Sequence, residues 1–153
     1  MQDADVVGSF KEAVALLKSD YPQKAAVLLK RCVDADRANP YYSSFLGLAI
    51  ARSKKSSLEA AKLCESALQS GKRELQFHLN LAEVYVATGQ RDSAIATLDR
   101  ARESFGPSSR LAKARARAEK RSAPVLPFLD RSNPLNKNLG KLRHRVTRRF
   151  SAI

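Results

Sequence analysis

The chain has 153 residues, 44% of them hydrophobic, which is enough for about one ordinary domain with its own core and excludes disorder throughout. Its net charge of +13 is concentrated: residues 1–109 carry 15 Lys+Arg against 13 Asp+Glu, whereas residues 110–153 carry 13 against 2. No stretch approaches the roughly 20 apolar residues of a membrane span. The opening Met1–Ser9, with Asp3 and Asp5, lacks the basic lead and apolar run of a targeting signal, so the expected location is the cytoplasm.

In chain order, the spacing predicts a first helix around Val6 to Lys18 with Phe10, Val14 and Leu17 inward. An Asp20-Tyr21-Pro22 turn leads to a second helix carrying Ala25, Leu29 and Cys32. A third helix holds Leu46, Gly47 and Ile50; a fourth holds Ala60, Cys64 and Ala67, opened by a Ser56/Glu59 capping box and stopped by Gly71 as a left-handed cap. A fifth presents His78, Leu81, Ala82 and Tyr85 at i, i+3, i+4 and i+7; after Gly89 a sixth presents Ala94, Leu98 and Ala101. Cys32 and Cys64 sit among apolar neighbours and read as reduced core thiols.

One pattern recurs through these elements. Leu46-Gly47 returns as Leu81-Ala82 after 35 residues, Ala60 returns as Ala94 after 34, and Ala25 precedes Ala60 by 35. A large-small pair followed by a second small residue, at such a period, marks stacked helix-turn-helix units. Each pair of helices cannot bury its apolar face alone, so neighbours stack into a superhelix. The small residues fall where helix axes about 8–10 Å apart leave no room for a branched side chain. The opening helix lacks the large-small pair, as a terminal repeat with a wetted outer face can.

These residues resemble the tetratricopeptide repeat family over about residues 6–107, through Leu81, Ala82, Tyr85, Ala94, Leu98, Ala101 and a displaced Pro107, and through Leu46, Gly47, Ala60, Cys64 and Ala67. The chain departs from the family pattern in having no Trp and in placing Ala82 where glycine is usual. The resemblance implies an all-α solenoid of three units, about 6–38, 40–71 and 75–106, whose concave surface holds a partner peptide or helix. On that reading the groove is lined by Tyr41, Ser44, Leu48 and Arg52 from the second unit and by Gln76, Leu79, Asn80 and Glu83 from the third. Some members grip a partner's C-terminal carboxylate with Lys, Arg and Asn; only Asn80 suggests this here, and that mode is not expected.

Ser108 and Ser109 can cap a covering helix over 108–121 with Leu111, Ala114 and Ala118 inward. The segment 122–153 holds an apolar cluster, Val125, Leu126, Phe128 and Leu129, and then one apolar stripe, Leu135, Leu139, Leu142, Val146 and Phe150. Around that stripe lie Lys137, Lys141, Arg143, Arg145, Arg148 and Arg149. Three roles stay open for it: packing on the repeats or a partner protein, contacting nucleic-acid phosphates, or lying on an anionic membrane. No nucleophile, base and orienting group come together in the pattern, the two histidines have no metal-ligand spacing, and no phosphate-binding glycine loop is present. The chain is therefore expected to be a protein-interaction adaptor with no catalysis, cofactor or metal, the runner-up being a nucleic-acid-associated protein.

Overall fold

The computed structural model describes residues 2–53 and 57–120. Among them are seven helices and no strand: α1 (Gln2–Lys18), α2 (Pro22–Ala35), α3 (Pro40–Arg52), α4 (Ser57–Gln69), α5 (Leu75–Ala87), α6 (Arg91–Phe105) and α7 (Ser109–Glu119). Ser56 of the proposed capping box and the whole basic segment 122–153, with Lys137, Lys141, Arg143, Arg145, Arg148 and Arg149, lie outside the described residues.

Local chemistry punctuates the helices. Pro22 and Pro40 stand at the starts of α2 and α3, where the missing N–H is one the helix could not use. The Asn39 side chain caps α3 by accepting from the Tyr41 N–H at 3.1 Å. The Ser108 hydroxyl accepts from the Leu111 N–H at 3.2 Å, which makes Ser108 the start signal of the covering helix. Past the end of α4, Gly71 takes φ +79°, the left-handed conformation that costs glycine least.

Consecutive helices pack as antiparallel hairpins, and the odd-numbered ones also touch one another: α1 with α3, α3 with α5, α5 with α7. No two even-numbered helices touch among the described residues. The odd helices therefore form a close inner row and the even helices a spread outer row, the geometry of a curved helical solenoid. One apolar cluster runs from Ala13 and Leu17 through Leu29, Leu46 and Cys64 to Leu81 and Val84. A second joins Ala82, Ala94, Leu98 and Ala101 to Leu111 and Ala118 of α7, and Tyr85 packs against both.

The small residues do what their spacing implies. Ala60, Ala94 and Ala101 are wholly buried. A Cβ added at Gly47 would lie 2.6 Å from the Ala60 carbonyl oxygen and 2.7 Å from the Cys64 sulfur, so α3 and α4 approach too closely for any side chain. Gly47→Ala should destabilise the protein by about 1–3 kcal/mol through overpacking, even though alanine gains about 1 kcal/mol over glycine in helix propensity. Urea unfolding measures the net change; an unaltered midpoint would mean that the two helices separate at no cost.

The first unit departs from the sequence expectation in an instructive way. Its opening helix starts earlier, at Gln2, and its small residue is present after all. Ala13, with no exposed surface, stands 34 residues before Gly47. Only the large partner is missing: its place is taken by Glu12, which is exposed. The outer side of a terminal unit faces water, so an ionised side chain is stable there.

Candidate partner groove

The inner row brings the expected groove residues together, but it uses most of their polar groups internally. The Arg52 guanidinium donates to the Leu17 carbonyl at 2.8 Å through Nη1 and pairs with Glu83 Oε1 at 2.5 Å through Nη2, tying α1, α3 and α5 together. A second run crosses α3, α5 and α7. Asn80 Nδ2 donates to the Ser44 hydroxyl at 2.9 Å, and Gln76 Nε2 donates to Asn80 Oδ1 at 2.6 Å. Arg110 in turn donates to Gln76 Oε1. Hydrogen bonds that hold charged and amide groups in one arrangement fix the register between repeats more than they add stability.

Three of the eight expected groove residues are corrected by this arrangement. Ser44 has no exposed surface, Asn80 has 1% and Leu48 has 5%; they belong to the interior between inner helices. A helical wheel of one helix cannot show this, because what covers them is the neighbouring helix. Tyr41, Arg52, Gln76, Leu79 and Glu83 are half-buried. The Tyr41 hydroxyl donates to Glu74 Oε1 at 2.6 Å, and that hydrogen bond raises the phenol above its ordinary pKa. Its ring stands edge-on to Phe77 at 5.1 Å, and the Lys72 ammonium lies 5.5 Å from the ring centre. Leu79 packs against the second apolar cluster.

Residues 55–118 match the family model described as Tetratricopeptide repeat, and three solved structures share the fold. The second TPR domain of human RPAP3, determined by NMR in complex with the HSP70 peptide SGPTIEEVD, is 13% identical, with a TM-score of 0.63 over 79% of this chain and 100% of that one. The Arabidopsis OM64 TPR domain is 16% identical, with a TM-score of 0.62 over 78% of this chain and 98% of that one. The Sgt2 TPR domain from Aspergillus fumigatus is also 16% identical, with a TM-score of 0.63 over 87% of this chain and 93% of that one. Residues 55–118 thus match the tetratricopeptide repeat, and the helices have the fold of tetratricopeptide repeat domains. No curated protein matches the chain's sequence.

Several residues that shape this helical array had no place in the sequence pattern. Arg110 reaches Gln76 from α7, while Glu74, just before α5, receives the Tyr41 hydroxyl. Arg91, at the start of α6, donates to the Ala118 and Glu119 carbonyls at 2.8 and 2.6 Å, satisfying the open C-terminal end of α7. Arg115 of α7 pairs with Asp99 and, at 2.8 Å, with Glu119. The covering helix is thus locked to the last repeat by several separate bonds. Both cysteines are free and buried. Among the described residues no group of three or more His, Cys, Asp or Glu side chains could hold a metal ion, and no helix is long and apolar enough to cross a membrane.

Proposed function

We propose that this protein is a non-enzymatic cytoplasmic adaptor that holds a peptide or helix of a partner protein against the inner row of its tetratricopeptide array. The observation carrying this reading is the continuous face made by α3, α5 and α7, which presents half-buried Tyr41, Arg52, Gln76, Leu79 and Glu83 around a preformed hydrogen-bond lattice. Preformed contact groups lose little conformational freedom on binding, which favours recognition. The lattice also argues against a carboxylate clamp. Arg52 is neutralised by Glu83, and Asn80 is spent on Ser44 and Gln76. Leu79 and Tyr41 are the apolar anchors on this reading, flanked by polar groups that set register.

The runner-up function, phosphate-backbone binding by residues 122–153, is favoured by charge alone. One experiment separates the two: affinity capture from nuclease-treated lysate with the intact chain, with Leu79→Gln and with residues 133–153 deleted. On the adaptor reading a discrete protein survives nuclease and moderate salt, is retained by the deletion and is lost with Leu79→Gln while that variant still folds by circular dichroism, at the lower melting temperature that its contact with the second apolar cluster implies. Recovery that depends on nucleic acid, on low salt and on residues 133–153 would instead make the basic segment the functional end.

A further inference from the structure

A second recessed surface lies on the opposite side of α5. Residues 78 and 81 are about half a turn of helix away from 76, 79 and 83, so His78 and Leu81 face away from the inner groove. There they meet α6, the end of α4 and the Gly71–Lys72–Arg73 turn in a cleft of about 390 Å³. The cleft lies where the backbones of α4 and α6 do not approach closely. Its location is set by the fold, and its chemistry by the residues that line it.

Leu68, Leu81 and Phe105 supply apolar carbon, while Lys72, Arg73 and Arg100 supply three cations; no carboxylate lines it. The Arg73 guanidinium donates to the Ser104 carbonyl at 3.0 Å and lies 5.9 Å from the centre of the Phe105 ring. Lys72 rests over the Tyr41 ring. Arg100 is exposed and makes no hydrogen bond or ion pair with the described residues. Three cationic residues therefore line the cleft with no carboxylate partner among the described residues. His78 adds no charge near neutrality. Its ring is edge-on to Phe105 at 5.6 Å, and burial, with help from Arg100, holds its pKa below the usual range.

We propose that this cleft is a second protein-docking site, on the outer side of the array, that receives an acidic residue next to a large apolar one from a partner polypeptide. The carboxylate meets Arg100 and Lys72 at the rim; the apolar side chain covers the half-buried Leu68 and Phe105, beneath which Leu81 is already buried. Volume and lining both favour a pair of side chains over an inorganic anion. The space falls in the range of pockets that take organic ligands, and a phosphate alone would leave the apolar wall in water. Charge-assisted hydrogen bonds to arginine supply orientation, and the covered carbon supplies affinity.

The test is residue-resolved. The 15N-labelled full chain is titrated, followed by its amide resonances, with the acetylated and amidated peptide Leu-Glu-Phe-Glu, its Leu-Gln-Phe-Gln counterpart, a Ser-Glu-Ser-Glu peptide and inorganic phosphate. The proposal expects saturable shifts at Gly71, Arg73 and Ser104 with the first peptide only. It also expects affinity to fall by about tenfold in Arg100→Gln, the loss of one charge-assisted hydrogen bond. Lys72→Gln, equally exposed, should act in the same direction. Shifts confined to residues 133–153, shifts indifferent to both substitutions, or equal binding of phosphate or Ser-Glu-Ser-Glu would overturn it. The amides of Gln76, Leu79 and Glu83 report the inner face separately, so failure of one site leaves the other standing.

Discussion

Replacing Phe77 with alanine should lower the stability of the protein by about 3–5 kcal/mol, the usual cost of removing a buried aromatic ring. Among the described residues Phe77 is the largest side chain with no exposed surface, and it lies at the seam between the second and third units. Its ring packs edge-on against Tyr41 of α3, whose hydroxyl reaches Glu74 just ahead of α5. The substitution therefore removes packing from the interface between two repeats as well as from one helix. In a repeat array the interfaces between neighbours hold the units in one cooperative transition. Urea unfolding followed by far-ultraviolet circular dichroism should show a lower midpoint and a broadened transition as the third unit melts apart from the first two. A change below about 1 kcal/mol would place the seam's stability elsewhere, in the polar lattice or in α4.

Phe77 also shows where sequence reading stops. The periodic small residues were legible because a close helix crossing admits few side chains, and Gly47, Ala60 and Ala94 announce it by their spacing alone. Phe77 answers to Tyr42, 35 residues earlier, which is itself buried at 7% exposure and packs against Phe10 at 5.1 Å. An aromatic position with the same period was thus present in the sequence. It carries no signal within a helix pair, because its contact is with the preceding unit. Ala13 is silent for a related reason: without its large partner, a lone alanine in a helix carries no signal.

The groove was legible only in outline. Which helices line the concave side was implied by the family resemblance, and Tyr41, Arg52, Gln76, Leu79 and Glu83 are half-buried there. The interior placement of Ser44 and Asn80 depends on the distance between α3 and α5, and Gln76 is held by an arginine 34 residues on. Side-chain hydrogen bonds between separate helices have no period in the sequence. The cationic cleft is less legible still, since Lys72, Arg73 and Arg100 come from two elements and read one by one as solvated charges.

Alkaline pH should unfold this protein through Cys64, and the sign follows from where the thiol sits. Cys64 has no exposed surface, and its sulfur donates to the Ser44 carbonyl at 3.3 Å. Burial pushes its pKa from 9.0 up to about 12. Below pH 9 both folded and unfolded chains keep the proton, so the full stability is present. Between pH 9 and 12 the unfolded chain loses the proton while the folded chain retains it, and stability falls by about 1.4 kcal/mol per pH unit. Tyr85, raised from 10.0 to about 12 by burial and by its bond to Glu65, steepens the decline above pH 10. Urea unfolding of the wild type and of Cys64→Ala, compared at pH 8.5 and 10.5, isolates the thiol because Tyr85 is common to both. The variant should start less stable, having lost buried sulfur, yet decline by about 2 kcal/mol less over that interval. Equal declines would mean that the thiolate forms without unfolding. The contact between α3 and α4 at Gly47 would then have to open in the native state, and the close packing that defines the second repeat would be a fluctuating one.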